Sequence, residues 1–333
     1  MQMLDERKTA ILRAIVHEYI ATAQPVGSTH IANAPGVHVS SATVRNEMAV
    51  LEQEGYLIQP HTSAGRVPTD KGYRFFVDHM VEPRPLDVAA AQRVGDFFDA
   101  AHGRLEEMLH RTSDLLAQLT SHASVVVGPP SDRSVVRSVQ VVGLSARSAV
   151  VVAVMSNGHV ENETFEISGE ISDVRVAAAT AHLQRVLAGG PIDRPLPPSG
   201  DAEVDELCRS AVSALLTARQ HEPVFVGGTS VVARSFDAVE TVRTVLQTLE
   251  QQYVMVSLVR DVLSRGLSVA IGAEHGIEPL VACSVVVAPV VVQGEHVGTV
   301  GVLGPTRMNY PQALATVEVV SDRLGRHLDE GAG

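Results

Sequence analysis

The chain has 333 residues, 45% apolar and 19% charged, with a formal net charge of −12. That length exceeds one ordinary domain and predicts two or three, while the composition allows a sizeable core and excludes global disorder. The charge excludes a generic polyanion binder, and no apolar run reaches the ~18 residues of a membrane helix, so no membrane partner is expected.

The charge is unevenly placed. Residues 1–80 hold seven Lys/Arg against eight Asp/Glu, including both lysines, Lys8 and Lys71, so the N-terminal segment is nearly neutral in an acidic chain. This shift predicts a separate N-terminal domain over 1–80. The start, Met1 to Lys8, has no apolar core of a signal peptide, and a cytoplasmic location is expected. Cys208 and Cys283 are too few for a disulfide framework and share no metal-ligand spacing.

Leu4, Ile11, Ile15 and Tyr19 recur at helical spacing and predict an amphipathic helix over 4–22, broken by Pro25 and Gly27. Ser28 is expected to cap a short helix through Asn33. Ser40 or Ser41 is expected to cap a third helix that ends near Glu54 before Gly55. A strand at 56–58, a polar loop from His61 to Arg66 and a return strand near Val67 follow. The order is that of a winged helix-turn-helix.

On the third helix Val44, Met48 and Leu51 share the side expected to face the core. Ser41, Ala42, Thr43, Arg45, Asn46 and Ala49 are left to meet a major groove. Arg can bond guanine bidentately, Asn can do the same to adenine, and a small methyl suits thymine. A solvated helix face with ordinary capping serines is the competing reading. In the loop, Thr62, Ser63, Gly65 and Arg66, with Lys71 just beyond, are the candidate phosphate contacts of a wing, against a plain hairpin that needs Gly65 for its backbone angles.

Three stretches stand out: Ala42-Thr-Val-Arg-Asn-Glu-Met-Ala-Val-Leu-Glu-Gln-Glu-Gly-Tyr-Leu57, Gly65-Arg-Val-Pro-Thr-Asp-Lys-Gly-Tyr-Arg-Phe-Phe-Val-Asp78 and Gly301-Val-Leu-Gly-Pro-Thr-Arg-Met-Asn-Tyr310. They resemble the HrcA family of heat-inducible transcription repressors. Their order spans nearly the whole chain. The resemblance implies a homodimeric repressor of chaperone operons on an inverted-repeat DNA operator, kept active by the GroEL chaperonin. It also implies a GAF-like domain with an inserted dimerisation segment. One departure is His275, in Ile271-Gly-Ala-Glu-His275, where the family is expected to show Asn.

Pro83 and Pro85 mark a linker, and 81–123 is expected to hold it and one long helix, about 86–122. Phe98, Ala101, Leu105, Met108, Thr112, Leu115 and Leu119 step by three and four like a coiled-coil seam. Phe97, Leu109 and Leu116 widen the stripe, which favours packing onto the same chain over a two-stranded zipper. Gly95 and Gly103 are the weak points of such a helix.

The remainder, 124–330, predicts strands at 135–142, 149–155 and 160–167, and helices at 172–187 and 201–220. Further strands are expected at 223–232 and 267–273, with helices at 238–252 and 255–264 between them. A hairpin turning at Gln293-Gly294 and a last helix over 311–328 complete the order. This is an α+β multidomain chain with a mostly antiparallel sheet, compatible with a GAF-like unit, and the two-helix stretch at 168–222 reads as its insert. Gly298, Gly301 and Gly304 lie in a hairpin strand and point to close packing rather than a dinucleotide fingerprint. The uncharged run Val285–Val292 is an aggregation hazard when unpaired, which offers a physical route to chaperonin dependence.

No HExxH, P-loop, GxSxG or CxxC occurs, so no catalytic residue, metal or cofactor is expected. His275 beside Glu274 supplies too few ligands for a metal. The first reading is a dimeric DNA-binding repressor. A regulator gated by a small molecule is the alternative, followed by an enzyme and an interaction scaffold.

Overall fold

A computed structural model describes residues 4–62, 64–81, 85–101, 105–128, 135–145, 147–156, 158, 160–167, 172–219, 223–236, 238–266 and 268–330. The chain begins with α1 (Glu6–Thr22), capped by the Asp5 carboxylate, which accepts from Lys8 N at 2.8 Å. α2 (Ser28–Ala32) starts one residue earlier than expected: Gly27 is the cap, and Ser28 is buried in the first turn. α3 (Ser41–Gln53) is capped by Ser40, whose hydroxyl accepts from Thr43 N at 3.2 Å. β1 (Leu57–Ile58) and β2 (Val67–Pro68) pair antiparallel, and α4 (Asp70–Met80) follows with Thr69 as cap. Ile11, Leu12, Ile15, Ile31, Val44, Leu51 and Phe76 close one core beneath these elements.

The single helix expected over 86–122 is two helices, α5 (Val88–Asp99) and α6 (Leu105–Thr120). Residues 102–104, which include the weak Gly103, are outside the described residues. Leu109, Thr112, Leu116 and Leu119 are buried, whereas Leu105, Met108 and Leu115 of the expected seam are only partly so. The stripe is wide because α6 lies on a sheet and on the C-terminal helix of its own chain.

That sheet is built from β3 (Ala123–Val127), β7 (Val224–Gly227), β8 (Val269–Ile271), β9 (Cys283–Val292) and β10 (Glu295–Pro305). The five strands are antiparallel, in the order β7-β3-β10-β9-β8. Gln293 and Gly294, both at positive φ, make the tight turn between β9 and β10. The first half of the valine-rich β9, Cys283 to Val287, is buried on both faces. Val286 and Val290 face α5, α6 and α12 (Tyr310–Glu330), while Val285 and Val287 face α10 (Val239–Leu249) and α11 (Gln252–Ser264). Helices thus cover both sides, which explains a continuous apolar run instead of alternation.

One expectation needs correction. The strand expected over 223–232 stops at Gly227: Gly228 turns the chain at φ 71, and 229–235 forms the helix α9. The valines at 231 and 232 pack from a helix, because burial outweighs β-branched propensity. The two helices expected within 168–222 cover a sheet formed by the strands before them. β4 (Val136–Gly143), β5 (Ser148–Met155) and β6 (Val160–Glu166) form a second sheet, which α7 (Asp173–Leu187) and α8 (Ala202–Arg219) cover. Val151, Met155, Leu183, Leu187 and Leu215 give it a core of its own. Since β3 pairs directly with β7, everything between them is an excursion from the five-stranded sheet. Among the described residues, no helix is long and apolar enough to cross a membrane.

Candidate nucleic-acid interface

The N-terminal half of α3 presents an exposed face. Ser41, Ala42, Arg45 and Asn46 are exposed, and Thr43 and Ala49 are half-buried at the margins. Val44, Met48 and Leu51 anchor the opposite side against α1 and α2. Thr43 is drawn into the cap, its hydroxyl 3.0 Å from that of Ser40. Among the described residues, neither Arg45 nor Asn46 has a side-chain hydrogen bond or ion pair. Both are therefore available to a ligand, on a rigid support.

The β1–β2 loop is pinned from within. Gln59 Nε2 donates to the carbonyls of Thr62 (3.1 Å) and Ala64 (2.9 Å), and Ala64 N donates to His61 O at 2.8 Å. Thr62 is exposed, and Ser63 lies outside the described residues. Gly65 is needed for close approach rather than for backbone angles: a Cβ there would sit 2.3 Å from the carbonyl oxygen of Val26. The neighbouring Arg66 exchanges two backbone hydrogen bonds of 2.9 Å with Val26, which staples the loop to the α1–α2 connection.

Two cations that look free in the sequence have partners within the chain. Arg66 Nε donates to Glu52 Oε2 at 2.9 Å, with only 18% of its side chain exposed. Lys71 Nζ donates to Glu54 O at 2.7 Å, beyond the last turn of α3, and rides over the Tyr56 ring at 4.4 Å. Both tie the loop and α4 to the C-terminal end of α3. Glu52 is 14 residues from Arg66, and no local spacing announces the pair.

Arg74 is the residue whose role the sequence conceals. From α4 it reaches the far unit: its Nε donates to Glu274 Oε1 at 2.9 Å, a second guanidinium nitrogen pairs with Glu274 Oε2, and the same nitrogen donates to Val269 O at 2.8 Å. Asp78 accepts from its third nitrogen at 3.1 Å. Glu274 is held ready by Ile271 N, 2.8 Å away. The Tyr73 and Tyr310 rings, 5.8 Å apart, pack across the same junction. His275 belongs to the turn that presents Glu274. Its Nδ1 accepts from Ile277 N at 3.2 Å and its Nε2 faces Leu280 O at 3.0 Å, which places the proton on Nε2. Burial lowers its pKa and keeps it neutral. A buried His tying two short helical turns accounts for this residue without a ligand.

Cys208 and Cys283 are buried thiols whose pKa values burial pushes up to about 11 and about 12. Among the described residues, no three His, Cys, Asp or Glu side chains converge as a metal site would require.

Comparison with known proteins agrees with this architecture. The family described as HrcA protein C terminal domain matches residues 106–314. The heat-inducible transcription repressor HrcA of a Nocardioides species is 39% identical over 342 residues, covering 99% of this chain and all of that one. The protein of the same name from Acidothermus cellulolyticus is 40% identical, covering 98% of this chain and 100% of its own. A crystal structure described as that of a hypothetical protein shares the fold at a TM-score of 0.70 and 24% identity, covering 99% of this chain and 100% of that one. With near full-length identity well above 30% and more than half of the chain matched by the family, the chain belongs to the HrcA family.

Proposed function

We propose that the chain is a dimeric DNA-binding repressor of heat-shock chaperone operons that reads an inverted-repeat operator. Residues 1–80 act as a winged helix-turn-helix, 81–123 as linker and helices, and 124–330 as a GAF-like unit whose insert, between β3 and β7, serves dimerisation. The observation that carries this reading is the exposed N-terminal half of α3, with Arg45 and Asn46 uncommitted above a fully packed core. N-terminal positions of a recognition helix are those that reach base edges. Ser41, Ala42, Thr43 and Ala49 shape the same face. Thr62, Ser63 and the loop backbone meet phosphate, while Gly65, Arg66 and Lys71 hold the loop in place. The chain performs no catalysis in this role.

GroEL is the partner that keeps the repressor active. The central strands support this: β3 pairs with β10 across more than 170 residues and with β7 across about 100. Such non-local pairing is slow to form and leaves the outer edge of β10, in the valine-rich β9–β10 hairpin, unpaired meanwhile. Heat-damaged clients would compete for the chaperonin and leave the repressor unfinished.

The test is operator binding across a salt series. Arg45→Ala or Asn46→Ala costs about 1–3 kcal/mol and relaxes specificity at one base position per half-site. Unchanged operator affinity in both variants rules out α3 as the reading helix. Full activity after refolding without chaperonin, at physiological temperature, removes GroEL from the proposal.

A further inference from the structure

The N-terminal unit meets the C-terminal one through α4, and Arg74 stands at the centre of that contact. Its guanidinium grips both carboxylate oxygens of Glu274, and it donates to Val269 O at 2.8 Å and to Asp78 at 3.1 Å. Only 16% of the Arg74 side chain is exposed, so dissolved salt screens the pair weakly. A planar fork that holds a carboxylate at two points fixes orientation as well as distance.

Both partners are anchored in their own units. Glu274 accepts from Ile271 N at 2.8 Å, and Arg265 donates to the Glu274 carbonyl at 2.8 Å. Tyr310 is held by donation from its hydroxyl to Thr306 O at 2.6 Å, and its ring backs that of Tyr73 at 5.8 Å. Gly272 lies so close to α4 that a Cβ there would collide with the Asp70 carboxylate. On the other side, Tyr73 and Phe76 of α4 share a buried core with Val44 and Leu51 of α3, and Lys71 Nζ donates to Glu54 O at 2.7 Å. α3 and α4 therefore move as one body. The angle of that body to the five-stranded sheet is set where Arg74 meets Glu274.

We propose that the Arg74–Glu274 clamp fixes α3 relative to the C-terminal unit and so selects the spacing between half-sites that the dimer accepts. Arg74 and Glu274 are positioning residues: both act through the orientation of α3. This inference rests on the dimeric-repressor reading above. Moving two half-sites apart by two base pairs shifts one of them by about 7 Å and turns it by about 70° around the DNA axis. Two rigidly held reading helices cannot follow such a change, whereas two loosely held ones can.

The test is binding of the full chain to inverted-repeat operators that differ only in spacer length, in steps of two base pairs, and to an isolated half-site. The wild type is expected to lose affinity by about tenfold or more at two base pairs from its best spacer. In Arg74→Met, which keeps the apolar stem, and in Glu274→Gln, which keeps the shape, that loss is expected to fall below about threefold, with half-site affinity unchanged. Should Arg74→Met fail to fold by circular dichroism, Glu274→Gln carries the test alone. A spacer profile in the folded variants identical to that of the wild type overturns the clamp. Equal loss of half-site and operator binding in the variants assigns the pair to the fold of the reading unit and overturns it too. A wild type that binds the half-site but accepts every spacer alike overturns the proposal while leaving the repressor reading intact. A wild type that prefers neither operator nor half-site over scrambled DNA refutes the repressor reading instead.

Discussion

Removing the Arg66 side chain separates two roles for the cation at the foot of the β1–β2 loop. As a phosphate contact it would act only in the complex; as the structure places it, it acts in the free protein. Arg66 Nε meets Glu52 Oε2 at 2.9 Å, with 18% and 34% of the two side chains exposed. A shielded charge-assisted hydrogen bond contributes about 1.5–3 kcal/mol. The exposure of Glu52 reduces this to about 1 kcal/mol for the pair. Lost packing of the arginine stem brings the cost of Arg66→Ala to about 1–2 kcal/mol. The assay is urea unfolding of the wild type, Arg66→Ala, Glu52→Gln and the double variant; urea is uncharged and leaves the pair unscreened. A coupling near 1 kcal/mol is expected, with the salt slope of operator binding unchanged in Arg66→Ala. A coupling below about 0.3 kcal/mol, together with a slope reduced by about 0.9, refutes the reasoning and returns Arg66 to the phosphate backbone.

Two other perturbations test the packing. Gly65→Ala forces a Cβ to within 2.3 Å of the Val26 carbonyl oxygen and is expected to cost more than about 2 kcal/mol. Gly95→Ala on α5, where a Cβ meets nothing within 4 Å, is expected to stabilise by about 0.5–1 kcal/mol. Melting temperatures that move the same way in both would contradict these placements. His122 predicts a pH dependence. Burial first, then Arg307, lowers its folded-state pKa from 6.5 to about 4, so the unfolded chain takes up this proton first as pH falls. Its contribution is complete above pH 6.5 and declines toward pH 4, by at most about 3 kcal/mol. His275, also lowered, acts in the same direction. Comparing His122→Gln with the wild type at pH 7 and pH 5 isolates the effect; an identical pH slope in the two proteins counts against it.

Several features of the candidate site are legible because they depend on near neighbours. Ser40 caps α3 because its hydroxyl reaches Thr43 N within one turn. Val44, Met48 and Leu51 share a face by helical geometry alone, and whatever they pack against, Arg45 and Asn46 must point away. The Gln293–Gly294 turn is equally local. Arg66, Lys71 and Arg74 are illegible for the opposite reason. Their partners, Glu52, the Glu54 carbonyl and Glu274, lie 14, 17 and 200 residues away, and only the folded chain brings them within reach.

The same division holds for the architecture. Where most helices and strands run, how they are capped and which side of each is apolar can be read from the residues alone, since periodicity and capping are properties of a few consecutive residues. Three motifs also carry the membership of the chain in its family. Which strands share a sheet, the inward packing of α6 on its own chain, and the departure of β4–β6 from the main sheet with α7 and α8 emerge only from packing. An apolar face records that something must cover it. Which element does so is set by competition among many similar valine-rich surfaces, and that competition is resolved only when the whole chain packs.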